Sequence, residues 1–222
     1  MSRGLSPGHG TDVKQVCADS VAGPIRRGTA RTLARVPRLP RLRPAGGIFH
    51  ITARGNRRQD IFLDDADRER FLALFTAVVA RYGWSCHAYC LMDNHVHLLI
   101  ETPQENLSEG MQRLLGGYAQ RFNGRHVYNG HLFQGRFGSK LVESNWYLLE
   151  VARYIIMNPV RAGKCATPAE WPWSSYRATV GAVRRPKFLT LNCLLAQFGR
   201  ELRAAREAYA HFVTGAPTRA SP

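Results

Sequence analysis

CLMDNHVHLLIE, residues 90–101, is an apolar run broken by an Asp-Asn pair and by two histidines one residue apart. Asp and Asn favour reverse turns because their short polar side chains bond the local backbone. The flanking stretches SCHAYCLM and HVHLLIE therefore read as the two strands of a hairpin. Side chains alternate across a strand, so His95 and His97 share one face, ~6.6 Å apart by the standard rise. Val96, Leu98 and Ile100 take the other face. One side of this strand builds a core, and the other displays two imidazoles.

The neighbouring segments complete a pattern. IFHITARG, from Ile48, alternates as a first strand. DDADRERFLALFTAVVARYGW opens on acidic residues, repeats apolar positions every three to four and stops at Gly83, as a helix does. NLSEGMQRLLGGYAQRFNGRH reads as a second helix, weakened by Gly116 and Gly117, and HLFQGRFGSKLVE as a fourth strand. The order βαββαβ predicts an α+β, ferredoxin-like fold: an antiparallel sheet with two helices on one face and the other face open. SNWYLLEVARYIIMNPVRAG follows as an added helix, capped by Ser144 and ended by Asn158-Pro159, which would cover part of that open face. EWPWSSY reads as an irregular packing segment, and LLAQFGRELRAAREAYAHFV as a terminal amphipathic helix.

Composition limits the function classes. The chain has 222 residues, 31 Lys and Arg against 16 Asp and Glu, and a net charge of +15, which points to a polyanionic partner. Residues 1–45 carry nine basic residues, eight Arg and Lys14, against Asp12 and Asp19, and read as a Pro/Arg-rich flexible arm. A domain over 46–180 and a C-terminal helical extension over 181–222 complete the expected organisation. No apolar stretch approaches the ~20 residues that cross a bilayer, and the first residues lack the apolar segment of a secretory signal, so the expectation is a cytoplasmic protein without a membrane partner. The five cysteines are scattered and lack the close pairs of a zinc or redox site.

Two imidazoles on a rigid strand can chelate a divalent cation. A triple-histidine nucleotide hydrolase would need a third histidine at position 99, where Leu99 stands. On the added helix, Tyr147, Glu150, Tyr154 and Asn158 recur at intervals of three and four and form one polar stripe, while Leu148, Ala152, Ile155 and Ile156 occupy the anchoring side. Tyr154 and Asn158 then project together and could deliver a nucleophile and a ligand as a unit. Tyr118, in GYAQRFN, is a rival nucleophile on the second helix.

LMDNHVHLLIE resembles the HUH motif (His, hydrophobic, His) of single-tyrosine transposases, and YIIMNPVRAG resembles the tyrosine helix of their REP-associated branch, relatives of the insertion-sequence-200 enzymes. GNRRQDIF and WPWSSY are similar to the same branch, and the resemblance spans about Phe49 to Tyr176. It implies a metal-dependent transposase that nicks and rejoins single-stranded, hairpin-forming DNA through a 5′-phosphotyrosine. It further implies Tyr154 as nucleophile, His95 and His97 as ligands of Mg²⁺ or Mn²⁺, and Asn158 as third ligand, where related enzymes often carry Gln. Related enzymes can also exchange tyrosine helices within a homodimer. The absence of a Gly-x4-Gly-Lys phosphate loop fits rejoining without ATP.

Arg54, Arg57, Arg58, Arg121, Arg125, Arg136, Lys140 and Arg161 are candidate phosphate contacts, Asn56 and Gln59 candidate base readers, and Tyr128 and Phe137 candidate stacking platforms. A non-catalytic nucleic-acid-binding module, or a domesticated transposase, is the alternative. An RNA-binding sheet would carry aromatics on its central strands, where this chain carries histidines.

Overall fold

The computed structural model describes residues 45–215. The basic arm read over 1–45 lies, but for Ala45, outside the described residues.

Strand β1, Gly47–Arg54, precedes helix α1, Asp65–Tyr82. The Asp64 side chain caps α1 by accepting from the Asp67 amide, and Gly83 closes it with φ 66°, a left-handed conformation that glycine adopts without steric cost. Strands β2, Ser85–Met92, and β3, His95–Thr102, form the expected hairpin around Asp93 and Asn94. Helix α2 covers Leu107–His126, and β4 is confined to Gly138–Val142. The sheet order is β2-β3-β1-β4 with every pair antiparallel, the ferredoxin-like arrangement. α2 contains a required glycine: a Cβ on Gly110 would stand 2.2 Å from the Trp84 indole.

Phe49, Ile51 and Ala53 of β1 and Val96, Leu98 and Ile100 of β3 join Phe71, Phe75, Met111 and Leu114 of the two helices in the main core. The opposite face of the hairpin presents Ala88, Cys90, Met92 and Leu99, and these bury against Leu148, Val151, Ala152 and Ile155 of helix α3, Asn145–Arg161. Each such large side chain stabilises the fold by about 1.5–3 kcal/mol. The added helix thus covers the β2 side of the sheet and leaves the histidines at the border of its footprint.

Two expectations about helices are corrected. α3 does not end at Asn158-Pro159 but continues through Pro159 to Arg161. Proline cannot donate to the Ile155 carbonyl. The Asn158 side-chain amide takes up that role, donating to the carbonyls of Tyr154 at 2.7 Å and of Ile155 at 3.5 Å. The predicted terminal helix is broken: α5, Asn192–Leu195, and a short 3-10 turn end at Gly199, whose φ of 131° no helix accepts. α6, Leu202–Thr214, restarts on a Glu201 cap.

The segment after α3 closes the sheet's β2 edge. The Leu91 amide donates to the Trp173 carbonyl at 2.8 Å, the Ser175 amide to the Tyr89 carbonyl at 3.0 Å, and the Thr190 amide to the Cys86 carbonyl at 2.7 Å. The short helix α4, Tyr176–Thr179, follows. Phe188, Leu189, Tyr209 and Val213 enter the main core, so residues beyond 180 pack on the same nucleus as the sheet. Among the described residues, no helix is long and apolar enough to cross a membrane.

Candidate active site

Register decides which side chains meet. β1 opposes β3 with Thr52 facing His97 and Arg54 facing His95, and β4 places Lys140 opposite His50. His50, Thr52 and Arg54 alternate with the core residues Phe49, Ile51 and Ala53, so they share the histidine face. His50 Nε2 lies 3.0 Å from His97 Nδ1, with the two rings stacked at 5.2 Å. His95 and His97 pack edge to face at 4.9 Å. Helix α3 brings the Tyr154 ring to 5.6 Å from His97 and 5.9 Å from His50, within one chain.

Tyr154 is 42% exposed, unlike the apolar residues of α3 that bury against the sheet. Arg161, two turns later on α3, sets its guanidinium 5.1 Å from the Tyr154 ring, and Lys140 sits 4.7 Å from that of Tyr147. Tyr118 does not compete. It is buried on the other side of the sheet, and its hydroxyl donates to the Ile61 carbonyl at 2.5 Å. Burial holds that phenol above its ordinary pKa, which makes it a poorer nucleophile still.

All three histidines stay neutral at physiological pH. Burial, reinforced by Lys140, brings His50 down to about 4. Burial and Arg54 bring His95 to about 4 against the pull of Asp93. Burial and the neighbouring His95, His50 and Arg54 bring His97 to about 3, partly offset by the Asn158 side chain. A neutral imidazole offers a lone pair, the form that ligates a metal.

The hydrogen bonds fix which nitrogen offers it. Asn94 Nδ2 donates to the Arg58 carbonyl at 3.0 Å, which orients its Oδ1 toward His95 Nδ1 at 2.6 Å. Nδ1 therefore carries the proton, and the His95 lone pair sits on Nε2. His97 has Nδ1 on His50, and its Nε2 is buried without a hydrogen-bond partner among the described residues. The Asn158 side chain lies near this ring, and a lone pair on Nε2 could meet a cation there. Asn158, whose Nδ2 is held by its own helix, keeps Oδ1 as a hard oxygen donor. Among the described residues no three His, Cys, Asp or Glu side chains group closely enough to hold a metal; two imidazoles and this amide are the donors that could hold one here. Glu150, one turn before Tyr154, has a shielded Oε1 with no partner among the described residues.

Asp93 ties the hairpin turn to its surroundings. Its carboxylate meets Arg68 at 2.5 Å and Lys164, just beyond α3, at 2.8 Å. Its carbonyl accepts from the amides of Ile61 and Phe62. Arg68 is itself enclosed by the rings of Phe62, Trp171 and Trp173, which gives the WPWSSY segment its packing role.

The basic candidates divide. Arg54, Lys140 and Arg161 border the histidines, and Asn56, Arg57 and Arg58 follow β1 in a 3-10 turn where both arginines hold positive φ. Arg136 lies in the loop after α2. Arg121 and Arg125 stand on α2, across the sheet from the histidines; Arg125 is engaged by Asp64 and Asp67, both at 2.6 Å. Phe137 is a correction: it is buried in the core and offers no exposed platform for a base. Gln59 and Tyr128 bond each other, the Tyr128 hydroxyl donating at 2.7 Å. Sequence reasoning missed His50 and Asn94. Alternation in IFHITARG placed His50 on the histidine face, but its pairing with His97 depends on strand order.

The fold and site define a protein whose tyrosine-bearing helix is docked beside paired strand histidines. The chain belongs to the family Transposase IS200 like, whose family model matches residues 46–158. It is 27% identical over 153 residues to a candidate REP-associated tyrosine transposase of Haemophilus influenzae, covering 64% of this chain and 86% of that protein. Its fold is similar to that of a REP-associated tyrosine transposase solved bound to a REP hairpin, with TM-score 0.56 and 18% identity over 68% of this chain and 90% of the other.

Proposed function

We propose that this protein cuts and rejoins single-stranded, hairpin-forming DNA, with Tyr154 as the nucleophile. The observation that carries the reading is the Tyr154 ring beside His97, whose inner nitrogen is shielded and has no hydrogen-bond partner among the described residues. In the reaction the Tyr154 oxygen bonds to phosphorus as the bond to the 3′-oxygen breaks. The phenol proton passes to solvent, and the departing 3′-oxygen takes one up. The phosphodiester is conserved as a 5′-phosphotyrosine, so attack by a 3′-hydroxyl reverses the cut without ATP.

His95, His97 and Asn158 would hold a Mg²⁺ or Mn²⁺ ion. That ion supplies Lewis-acid polarisation of the phosphate and favours the phenolate of a group with an ordinary pKa near ~10. Arg161 holds the ring in position by stacking, and Arg54 and Lys140 place positive charge where the DNA backbone must pass.

The test is covalent capture. With a labelled hairpin oligonucleotide and Mn²⁺, the wild type should give an SDS-resistant adduct that vanishes in Tyr154→Phe and in EDTA, while Tyr154→Phe still binds the DNA. An undiminished adduct in Tyr154→Phe removes that residue from the role, and binding without any adduct in the wild type favours a non-catalytic binding module.

A further inference from the structure

The turn of residues 55–59, directly after β1, is tight and strained. Two successive non-glycine residues, Arg57 at φ 52° and Arg58 at φ 63°, hold the left-handed region that side chains disfavour. Gly55 is required by space: a Cβ there would stand 2.0 Å from the Gln59 carbonyl oxygen. The amides of Arg58 and Gln59 close the turn by donating to the carbonyls of Gly55 at 3.0 Å and Asn56 at 2.9 Å. The β2–β3 turn locks against it, because the Gly55 amide donates to the Asn94 carbonyl at 2.8 Å.

The Asn94 side chain stands between this turn and His95. A backbone carbonyl only accepts, so the end of the side chain that meets the Arg58 carbonyl at 3.0 Å is Nδ2. Oδ1 is left for His95 Nδ1 at 2.6 Å, and since Oδ1 only accepts, the imidazole proton stays on Nδ1. If that carbonyl moved away, nothing would stop the amide from turning over. Nδ2 would then donate to Nδ1, the proton would sit on Nε2, and His95 would lose the lone pair a cation needs there. The direction of one carbonyl, 37 positions earlier in the chain, thus selects the tautomer of a candidate ligand.

We propose that Asn94 is a positioning residue through which the strained turn of residues 55–59 sets the tautomer of His95, and with it the metal affinity of the site. The affinity part rests on the ligand set proposed above; the tautomer part does not.

The test reads the two parts separately on the full chain. Long-range ¹H–¹⁵N spectra of the apo protein in EDTA, near neutral pH, report which His95 nitrogen carries the proton. Calorimetry on EDTA-free protein measures Mn²⁺ affinity. The wild type should carry the proton on Nδ1. Gly55→Ala, which opens the turn and replaces no ligand, should move a share of it to Nε2 and lower Mn²⁺ affinity about tenfold. Adding Asn94→Asp to that variant should restore the Nδ1 tautomer, because a carboxylate has no donor end to present.

Gly110→Ala controls for stability alone. Its Cβ makes a comparable clash with Trp84 on the other side of the sheet, so it should lower Tm and leave tautomer and affinity as in the wild type. Where Gly55→Ala does not fold, Asn94→Leu takes its place and must show both tautomers with a similar loss of affinity. Wild-type tautomer and affinity in Asn94→Leu or in folded Gly55→Ala, no rescue in the double variant, or a matching shift in Gly110→Ala overturns the proposal. Full Mn²⁺ affinity in His95→Ala instead removes His95 from the ligand set and leaves the tautomer result standing.

Discussion

Asn158 donates its side-chain amide to the main-chain oxygen of Tyr154, 2.7 Å away and one helical turn earlier. The candidate nucleophile and the candidate oxygen ligand are thus one hydrogen-bonded unit, and Pro159 makes that bond structurally useful. Asn158→Ala should lower apo stability by about 1 kcal/mol, the worth of an ordinary hydrogen bond, or roughly 2–4 °C in Tm. It should weaken Mn²⁺ binding as well, measured by calorimetry. Asn158→Gln restores the oxygen donor and should recover Mn²⁺ affinity ahead of stability. Unchanged Mn²⁺ affinity in the alanine variant would remove Asn158 from the ligand set.

His50 pairs with His97 across the sheet, Nε2 to Nδ1 at 3.0 Å. Removing it frees the His97 ring to turn and leaves Nδ1 without its partner. His50→Ala should reduce Mn²⁺ affinity about 10–100-fold, the usual cost of losing a ligand-orienting group. His50→Gln, which returns a polar partner, should recover part of it. Retention of full affinity in the alanine variant would show that His97 is held by packing alone.

Acid should destabilise the apo protein in two stages. Folded His50 and His95 titrate at about 4 and His97 at about 3, against 6.5 when free, so below pH 6.5 the unfolded chain binds protons that the folded site refuses. Stability is therefore complete above pH 6.5 and falls as pH drops toward 4. A second loss begins below the ordinary carboxylate value of 3.8. Asp64 is held down by Arg125; Asp67 is held down by the Leu63 amide, His126 and Arg125 despite its burial. Thermal melts in EDTA between pH 8 and 3 check both, and His50→Asn should flatten the first stage. A Tm constant from pH 6.5 to 4 contradicts the assignment.

Arg153, the residue before Tyr154, is buried and donates from Nε to the Val213 carbonyl at 3.3 Å and from its guanidinium to the Gly215 carbonyl. It braces the tyrosine helix against α6. Arg153→Met keeps an apolar side chain of similar reach but removes the guanidinium from over the Phe212 ring and leaves those carbonyls unmet, at a cost of about 1–3 kcal/mol. Adduct formation should slow more than Mn²⁺ affinity falls, because two of the three candidate ligands lie on the sheet. An equal loss in both would mean general unfolding.

Much of this was legible in local pattern. The turn at Asp93-Asn94, the alternation around His95 and His97, and the stripe through Tyr154 and Asn158 are short-range periodicities, and the structure keeps them. What pattern could not reach depended on chain segments distant in sequence. Arg125 looked like a free cation until α1 delivered Asp64 and Asp67 to it. Phe137 looked like an exposed aromatic in the predicted fourth strand until the core enclosed it. Pro159 signals a helix end by its missing donor, and only the Asn158 amide, folding back on its own helix, lets α3 run on.

The burial of Phe188, Leu189, Tyr209 and Val213 beside the sheet bears on how the protein can be handled. The family match ends at residue 158, yet the β2 edge and part of the apolar interior are completed by side chains up to 55 positions later. A fragment trimmed to the matched span would expose an unpaired edge and an open seam, and should aggregate on expression. The smallest soluble working piece should therefore extend to about residue 215.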